Sequence, residues 1–465
     1  MRALCGTYWG SDPKTLQIVH NGLIQSHLDY GCQILSDCAK ALINRLDKSQ
    51  YKSIRIITGC MRSTPIHALL GKSGQIPLKY RWEWLNSKFL LKNLMLINSP
   101  IISALNQLQI SIQSNHNYWN KKSIPLLVSI MNKFQHTPNL FSSELEYQLT
   151  SIPIRNVQSN KGDEHAIIQF QRISLDNPPH TIIFTDGSVD SKGSAGFGVF
   201  CPDFEYSYSS KLPTQTQVCT ANAHHAIQFV LEKDIKRALI LSDSKSGIQK
   251  IGKTSYSMET EHTSIMTKRG IIEANQQNIS IILAWIPGHS DIKGNCVAEK
   301  LANIGRSLKM PAKVKLHYSN NLFYIKKLIW TRWAQEWNSN RSKGSFYSKI
   351  VNKWNKSPWF NQFPYKDRRH ITAVIRMRTG HFSTPVHLFR IGIQDNPYCE
   401  CGQIGSLNHV ILECPINVSP NFDLYKELVK TKLQTPIEIC SLLSNLNSQR
   451  LKLLITFLNL AKINL

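Results

Sequence analysis

The sequence predicts an α/β protein in which a mixed sheet forms the middle of the chain and mainly helical regions form both ends. Three apolar runs joined by short turns occupy residues 181–186, 194–200 and 204–210, and further strand candidates follow at 238–242 and 279–286. Helical patterns separate the later strands, which is the order of an antiparallel meander extended by parallel strands. Outside this region, apolar residues recur at helical spacing instead.

The chain is strongly basic for its length. It has 465 residues, with 55 Lys and Arg against 30 Asp and Glu, and a formal net charge of +25. Such a length allows roughly two to four domains. The excess of cations favours a polyanionic partner, with nucleic acid first and an acidic membrane surface second. Because no window reaches the roughly 18 apolar residues of a membrane span, we expect nucleic acid and no membrane.

Cysteine usage and the amino terminus bear on the cellular compartment. The 11 cysteines are odd in number and scattered, which argues against a disulfide framework. The first residues, MRALCGTYWGSD, lack the charged and then apolar pattern of a signal peptide. We therefore predict an intracellular protein of the cytoplasm or nucleus that is not secreted.

Residues 1–105 are predicted to be helical, and residues 106–180, which are polar and rich in Asn and Gln, to be a linker with some helix. In KALINRLDKSQYKSIRIITG, apolar residues recur at helical spacing up to Gly59, a typical helix stop. Another face of this helix carries three cations, Lys48, Lys52 and Arg55. Such a stripe indicates either a solvated face or a surface that contacts phosphates.

The region 312–465 is again predicted to be helical, with an amphipathic helix at its end. Trp330, Trp333 and Trp337 repeat at helical spacing, which favours core packing over a stacking platform. The segment KDRRHITAVIRMRTGH interleaves cations with apolar residues, which predicts contact with nucleic acid. The candidate contacts are Arg368, Arg369, Arg376 and Arg378.

Three carboxylates stand where the predicted elements bring them to one edge of the sheet. Asp186 and Asp243 each end a predicted strand, and Glu299 lies on the helix after the last strand. Converging acids repel one another unless a cation neutralises them, and hard cations such as Mg²⁺ take oxygen ligands. Two such ions, roughly 4 Å apart, would support phosphodiester cleavage. The alternative is three unrelated surface acids.

Residues 181–307 resemble the ribonuclease H type 1 family. The resemblance rests on IIFTDGS, the GSAGFGVF hairpin, LILSDSKSGIQKI and AWIPGHSDIKGNCVAEKLA, which occur in the family's order and spacing. It implies a mixed five-stranded sheet with helices on both faces. It also implies hydrolysis of the RNA strand of an RNA–DNA hybrid with two magnesium ions.

The family's site has four acids, and the resemblance implies roles for residues of this chain. Asp186 matches the first acid, Asp243 the third and Glu299 the fourth. The second acid, a glutamate, falls on Ala223, with Asn222 beside it in TANAHHAI. Ala223 offers no oxygen, so this departure places catalysis in doubt without threatening the fold, and the second metal should bind weakly.

Other positions of the resemblance concern proton transfer and the nucleic acid. His289, in the loop before the last helix, matches a histidine that assists proton transfer or product release, which suits an imidazole. Gly187 and Ser188 let the backbone approach the nucleic acid closely. Asn295 matches a further position of the family's pattern and is expected to contact nucleic acid.

A cluster of cysteines and histidine follows in PYCECGQIGSLNHVILECP. Cys399, Cys401, His409 and Cys414 offer three thiols and one imidazole, a set that suits one structural, tetrahedral zinc ion. The alternative is chance cysteines in a reduced protein. We interpret the cluster as a structural knuckle at residues 399–414.

The flanks resemble parts of an insect-type non-LTR retrotransposon polyprotein. YWGSDPKTL, SHLDYGCQIL and the segment from LDKSQ to HALL are similar to the portion after a reverse-transcriptase palm, and RMRTGHFSTPVHLFRIGI with the cysteine cluster is similar to the tail after ribonuclease H. The Met1 start would then cut into a longer reading frame. No Asp-Asp pair occurs in the chain, so polymerase activity is not implied. The rival readings are a catalytically inactive nucleic-acid-binding relic and an interaction protein that uses its helical ends.

Overall fold

The computed structural model describes residues 1–7, 9–96, 98–134, 154–156, 179–191, 193–213, 218–252, 262–288, 292–311, 318–363, 367–461 and 463. The chain forms two compact units. The sheet unit is Ser87–Lys327, and the helical unit combines Met1–Asn86 with Leu328–Leu465. The first and last segments, which the sequence treats as separate regions, thus belong to one unit.

The first part of the chain is helical, as predicted. Its helices are α1 (Pro13–Val19), α2 (Ser26–Asp29), α3 (Cys32–Leu35), α4 (Lys40–Thr58), α5 (Ile66–Ser73) and α6 (Leu78–Leu94). Asp12 caps α1 through its side chain, which accepts hydrogen bonds from the amides of Lys14 and Thr15. Helix α4 stops at Gly59, which adopts a left-handed conformation with φ of +63°.

The predicted linker holds more structure than its composition indicates. Helices α7 (Pro100–Ser114), α8 (His116–Trp119) and α9 (Leu126–Phe134) precede a short strand, β1 (Ile154–Asn156). A small core joins α6, α7 and α9 through the buried side chains of Leu90, Leu105 and Val128. Strand β1 pairs in parallel with the last strand of the sheet, so the sheet has a sixth strand beyond the five predicted.

The five predicted strands form as expected. They are β2 (Thr181–Val189), β3 (Ala195–Cys201), β4 (Tyr206–Leu212), β5 (Arg237–Ser242) and β6 (Ser280–Trp285). The sheet order is β1-β6-β5-β2-β3-β4. Strands β2, β3 and β4 are antiparallel, whereas β5 and β6 add in parallel, which is the mixed arrangement of a ribonuclease H-like fold.

Helices cover both faces of this sheet. They are α10 (Val218–Glu232), α11 (Lys245–Gly252), α12 (His262–Gln276) and α13 (Lys293–Ser307). Alternate residues of the strands face opposite ways: Ile183 joins the core with α10 and α12, while Phe184 joins a second core with Ala298 of α13. Gly198 permits close packing of α13, because a Cβ there would lie 2.4 Å from the Ala298 carbonyl oxygen.

The remaining helices are α14 (Tyr318–Ser339), α15 (Ser345–Ile350), α16 (Arg368–Thr379), α17 (Pro385–Arg390), α18 (Val418–Lys430), α19 (Ile439–Ser444) and α20 (Ser448–Leu460). Trp333 and Trp337 are buried, and Trp337 stacks on His67 with ring centroids 4.2 Å apart. The tryptophan repeat therefore serves packing, as predicted. None of the helices in the described part of the chain has the length and apolar content of a membrane-spanning helix.

Candidate active site and metal centre

Asp186 lies within β2, whereas the sequence had predicted that it ends this strand. Strand β2 continues to Val189 because it still pairs with β3 through Val189 and Ala195. Its parallel pairing with β5 ends earlier, at Thr185 and Ser242. The next residues along the two strands are Asp186 and Asp243, so both acids follow the last paired position together. Asp186 is only 7% exposed, so the sheet holds it rigidly.

The turn after β5 is held close to the loop after β6. The Trp285 indole N–H donates a hydrogen bond to the backbone carbonyl of Asp243 at 2.9 Å. Gly288 approaches the carboxylate closely, since a Cβ built there would lie 2.8 Å from Oδ2 of Asp243. A side chain at position 288 would therefore displace the Asp243 carboxylate.

Glu299 lies on α13 and is half-buried. Its neighbour Ala298 packs directly on β3 over Gly198, the residue paired with Asp186. Within the described residues, one group of three or more His, Cys, Asp and Glu side chains brings its ligand atoms within 4.8 Å of one another, and that group is the cysteine cluster. Asp186, Asp243 and Glu299 are not members of that group.

The position of the second family acid is apolar and closed. Ala223 is buried in the core between α10 and the sheet. Asn222 is fully buried, and its side-chain oxygen accepts a hydrogen bond from the Ala223 amide at 2.7 Å. The Asn222 oxygen is thus directed at the backbone of its own helix.

The surroundings of Ala223 also disfavour charge. Burial lowers the pKa of His224, and burial together with the nearby His224 lowers the pKa of His225 to about 4. His225 stacks on Tyr208 with ring centroids 3.8 Å apart and shares a hydrogen bond of 3.0 Å with the Tyr206 hydroxyl. Two neutral imidazoles thus follow the apolar position on the helix.

Comparison with known proteins supports the assignment of this region. A family model described as RNase H matches residues 178–307. These residues form an RNase H domain. Comparison with curated proteins gave no match.

Two solved structures resemble a part of the chain. One is the N-terminal RNase H domain of a protein from Mycobacterium tuberculosis, solved as a fusion with maltose-binding protein, with 17% identity, a TM-score of 0.22, and coverage of 27% of this chain and 94% of that one. The other is RNase H1 from the halophilic archaeon Halobacterium salinarum, with 13% identity, a TM-score of 0.23, and coverage of 27% and 96%.

The residues of the RNase H domain that were predicted to meet nucleic acid occupy different environments. Gly187 lies against α10, since a Cβ there would be 2.2 Å from Val218. The Ser188 hydroxyl donates to Asn303 at 2.8 Å and accepts from Arg306 at 3.1 Å. Asn295 is buried. The predicted His289 lies outside the described residues.

The four arginines of the basic segment differ in burial: Arg369 is exposed, and the other three are buried. Arg368 is 3% exposed and donates to the backbone carbonyls of four residues: Gly6, Ser11, Ile56 and Ile57. Arg378 is buried over the Trp359 ring, 4.7 Å from its centroid, and burial lowers its pKa to about 10. The expected nucleic-acid contact is therefore corrected for Arg378, whose guanidinium packs inside the helical unit.

The cysteine cluster has the geometry of a tetrahedral metal site. The four ligand atoms of Cys399, Cys401, His409 and Cys414 lie within 4.8 Å of one another. Cys399 Sγ and Cys414 Sγ are 3.7 Å apart, and Cys401 Sγ lies 3.2 Å from His409 Nε2. Zinc–sulfur bonds of about 2.3 Å in a tetrahedron place two sulfurs about 3.8 Å apart, so the residues present fit the ion.

Backbone hydrogen bonds and asparagine side chains hold this cluster in place. The Cys399 amide donates to the Gln403 carbonyl at 2.7 Å, closing a turn that contains Gly402 with φ of +85°. The Asn421 side chain donates to the Cys414 carbonyl at 2.9 Å, and Asn408 accepts from the Ile439 amide at 2.9 Å. These contacts attach the cluster to α18 and α19.

Sequence reasoning missed several residues that shape these sites. Gly288 and Trp285 position the turn of Asp243, and Asn421 supports Cys414 from a different helix. Lys245 lies 5.3 Å from the Trp285 ring centroid, which places a cation next to the same turn. The position of Lys245, two residues after Asp243, could have indicated a cation at this turn. The contact of Asn421 with Cys414 could not have been predicted, because nothing in the sequence around Asn421 indicates it.

Proposed function

We propose that this protein is a ribonuclease of the RNase H type that hydrolyses the RNA strand of RNA–DNA hybrids, with low activity in the chain as it stands. The observation that carries the proposal is the placement of Asp186 and Asp243. They follow the last paired position of two adjacent parallel strands in a domain matched by the RNase H family model. Ligands of open α/β sheets bind at this edge.

Magnesium is the cofactor we infer for this site. Asp186 and Asp243 would hold the ion, with Glu299 contributing from α13, and carboxylate oxygens are its preferred ligands. Bound magnesium supplies Lewis-acid activation of water and neutralises charge at the phosphate. The protein's own contribution is the rigidity of Asp186 within the sheet and the close approach of Gly288 to the Asp243 carboxylate. His289 is our candidate for proton transfer.

We further infer a retrotransposon origin and a structural zinc ion. The origin rests on the resemblance of both flanks to a non-LTR element, and it accounts for a cysteine cluster after an RNase H domain. The zinc rests on the 3.7 Å sulfur–sulfur distance and the complete set of four ligands.

A second candidate function is nucleic-acid binding without catalysis. Ala223 favours it, because this buried methyl group replaces a metal-binding carboxylate and Asn222 directs its oxygen into its own helix. In this reading the fold and the basic charge persist while the second metal is lost.

Magnesium-dependent cleavage of an end-labelled RNA–DNA hybrid tests the proposal. We expect slow cleavage that requires magnesium, is abolished by Asp243→Asn and persists in Asp203→Asn, a matched change at an exposed acid of the same domain. The binding function would be favoured instead by two results together. Both variants would bind the hybrid with equal affinity that does not depend on magnesium, and the unaltered chain would not cleave it.

A further inference from the structure

A basic cavity of about 790 Å³ lies in the helical unit, which does not contain the RNase H domain. Two segments distant in sequence line it: α4 with the residues around it, and α16. Four of its cationic side chains are exposed, namely Arg2, Lys48, Lys52 and Arg62. Three more cations lie deeper: Arg55, Arg368 and Arg376. The described residues that line the cavity include no acid.

The deeper cations are held by the protein backbone. Arg368 directs its guanidinium to four carbonyls, as described above, and Arg376 donates from Nε to the Gly59 carbonyl at 2.8 Å. Arg55 donates to the Thr64 carbonyl at 3.1 Å. Among the described residues, Nε is the only nitrogen of the Arg376 guanidinium with a partner. This hydrogen bond fixes the orientation of the Arg376 guanidinium, and its other N–H groups remain able to donate to a ligand.

We propose that this basic cavity binds the phosphate groups of a single-stranded nucleic acid, as a site separate from the RNase H domain. The α4 stripe of Lys48, Lys52 and Arg55 is then more than a solvated face, because the fold places it opposite Arg368 and Arg376. The proposal does not depend on hybrid cleavage.

The chemistry of the lining favours phosphate over other anions. A planar guanidinium matches a phosphate with two parallel hydrogen bonds, and one that is already oriented loses little entropy on binding. Arg368 and Arg376 repel each other, which contributes to the lowered pKa of Arg368 after the larger effect of burial. An anion between them would relieve that repulsion.

The size and the apolar lining favour a single strand over a duplex. The volume lies in the range of small-ligand clefts, roughly 300–1,000 Å³, which admits a nucleotide or two but excludes a double helix. Tyr51 and the apolar Ile56 and Ile66 also line the cavity. An aromatic ring beside a row of cations is the combination that single-strand binding sites use for base stacking and phosphate contact.

The test uses the full chain and a fluorescent single-stranded oligonucleotide of about 12 nucleotides, with affinity measured by anisotropy between about 50 and 200 mM salt. The test variant is Lys48→Ala, Lys52→Ala, Arg62→Ala, all exposed, so the fold is retained. The matched control removes three exposed cations of the same unit outside the cavity: Lys40→Ala, Arg45→Ala, Lys353→Ala. The salt slope is the change of log K with the logarithm of the salt concentration, and each phosphate contact contributes about −0.7 to it for a single strand. We expect the slope of the test variant to be shallower by about 2, and the slope of the control to be unchanged.

A second measurement locates the ligand directly. Acetylation of lysines in the unaltered chain, with and without the oligonucleotide, should show protection of Lys48 and Lys52 and none of Lys40. Equal losses in both triple variants, or equal acetylation of Lys48 with and without oligonucleotide, would overturn the proposal. Protection by polyglutamate as strong as that by the oligonucleotide would overturn the assignment to phosphate. Because neither readout uses cleavage, a negative result here leaves the RNase H proposal untouched.

Discussion

The two units of this chain treat polar residues in opposite ways. The helical unit buries Arg368 with four carbonyl partners and collects three cysteines and a histidine into one complete ligand set. In the RNase H domain, Ala223, which the resemblance aligns with the family's second acid, lies in an apolar core. We infer that the helical unit has kept a complete ligand set, and that the RNase H domain has kept its fold with one metal ligand lost. We therefore expect fold and site to be separable in the RNase H domain and coupled in the helical unit.

This difference has a physical cause. A structural metal contributes folding energy, so loss of a ligand unfolds the region around it. A catalytic carboxylate contributes little to folding, and burying an alanine in its place costs nothing in desolvation. We thus expect the helical unit to lose structure when it loses a ligand of the cysteine cluster, and the RNase H domain to keep its structure when it loses a catalytic acid.

The largest effect should follow removal of the zinc ligands. We expect Cys414→Ala to abolish the binding of one zinc ion per chain and to destabilise residues 395–416, because apparent binding energies of structural zinc reach about 10 kcal/mol or more. Metal analysis and thermal unfolding with and without chelator measure this. Cys440→Ala, at a cysteine outside the cluster, should retain the ion. An unaltered chain that contains no zinc and melts identically with chelator would contradict this expectation.

The next effect concerns Arg368. Arg368→Ala should lower the free energy of unfolding of the helical unit by about 3–5 kcal/mol, because buried carbonyls lose a charged donor. Arg368→Lys keeps the charge but cannot reach several carbonyls at once, so it should recover only part of the loss. Arg369→Ala is the control, at the exposed neighbour, and should change stability by less than about 0.5 kcal/mol. Denaturation monitored by tryptophan fluorescence would show the order, and equal stability of the two alanine variants would contradict it.

The comparison also shows what sequence can and cannot predict. The apolar runs around Phe184 and Leu239 predict β2 and β5, because burial on both faces of a strand leaves a strong local pattern. Asp186 was expected to end β2, but pairing with β3 extends the strand, and that partner is not visible from the residues of β2 alone. The four residues of the cysteine cluster could be predicted because they lie within 16 residues of one another.

Features that depend on distant partners were not predicted. The four carbonyl partners of Arg368 were not predicted, because a basic segment has the same sequence pattern whether its cations are solvated or bonded to carbonyls. Strand β1 is only three residues long and occurs in a polar segment, so no alternation of apolar and polar residues predicts it. The basic cavity depends on contact between α4 and α16, which are separated by the whole RNase H domain.

Restoring the missing acid tests whether the RNase H domain lacks only one ligand. We expect Ala223→Glu to raise hybrid cleavage at least about tenfold, which is about 1.4 kcal/mol of transition-state stabilisation, and Glu299→Asp to add to it. Because Ala223 is buried, the new carboxylate should also lower the stability of the domain in the absence of magnesium. Binding of magnesium should restore that stability. Ala221→Glu introduces an acid at another buried position of the same helix and should be destabilising without rescue. A folded double variant that binds hybrid but cleaves no faster would place the defect elsewhere.

The smallest effect is a pH dependence that arises from His225. Its pKa is lowered from about 6.5 to about 4 in the folded chain, so the unfolded chain takes up the proton first as the pH falls. Stability from this residue is therefore complete above about pH 6.5 and is lost progressively as the pH falls toward 4. His225→Phe preserves stacking on Tyr208 without titrating, so melting of the RNase H domain should become less sensitive to acid in this range. His27→Gln, at an exposed histidine, should leave the profile unchanged. An identical acid sensitivity in the His225→Phe variant would mean that other groups govern the acid response of the RNase H domain, and that its core tolerates charge next to Ala223 better than its burial indicates.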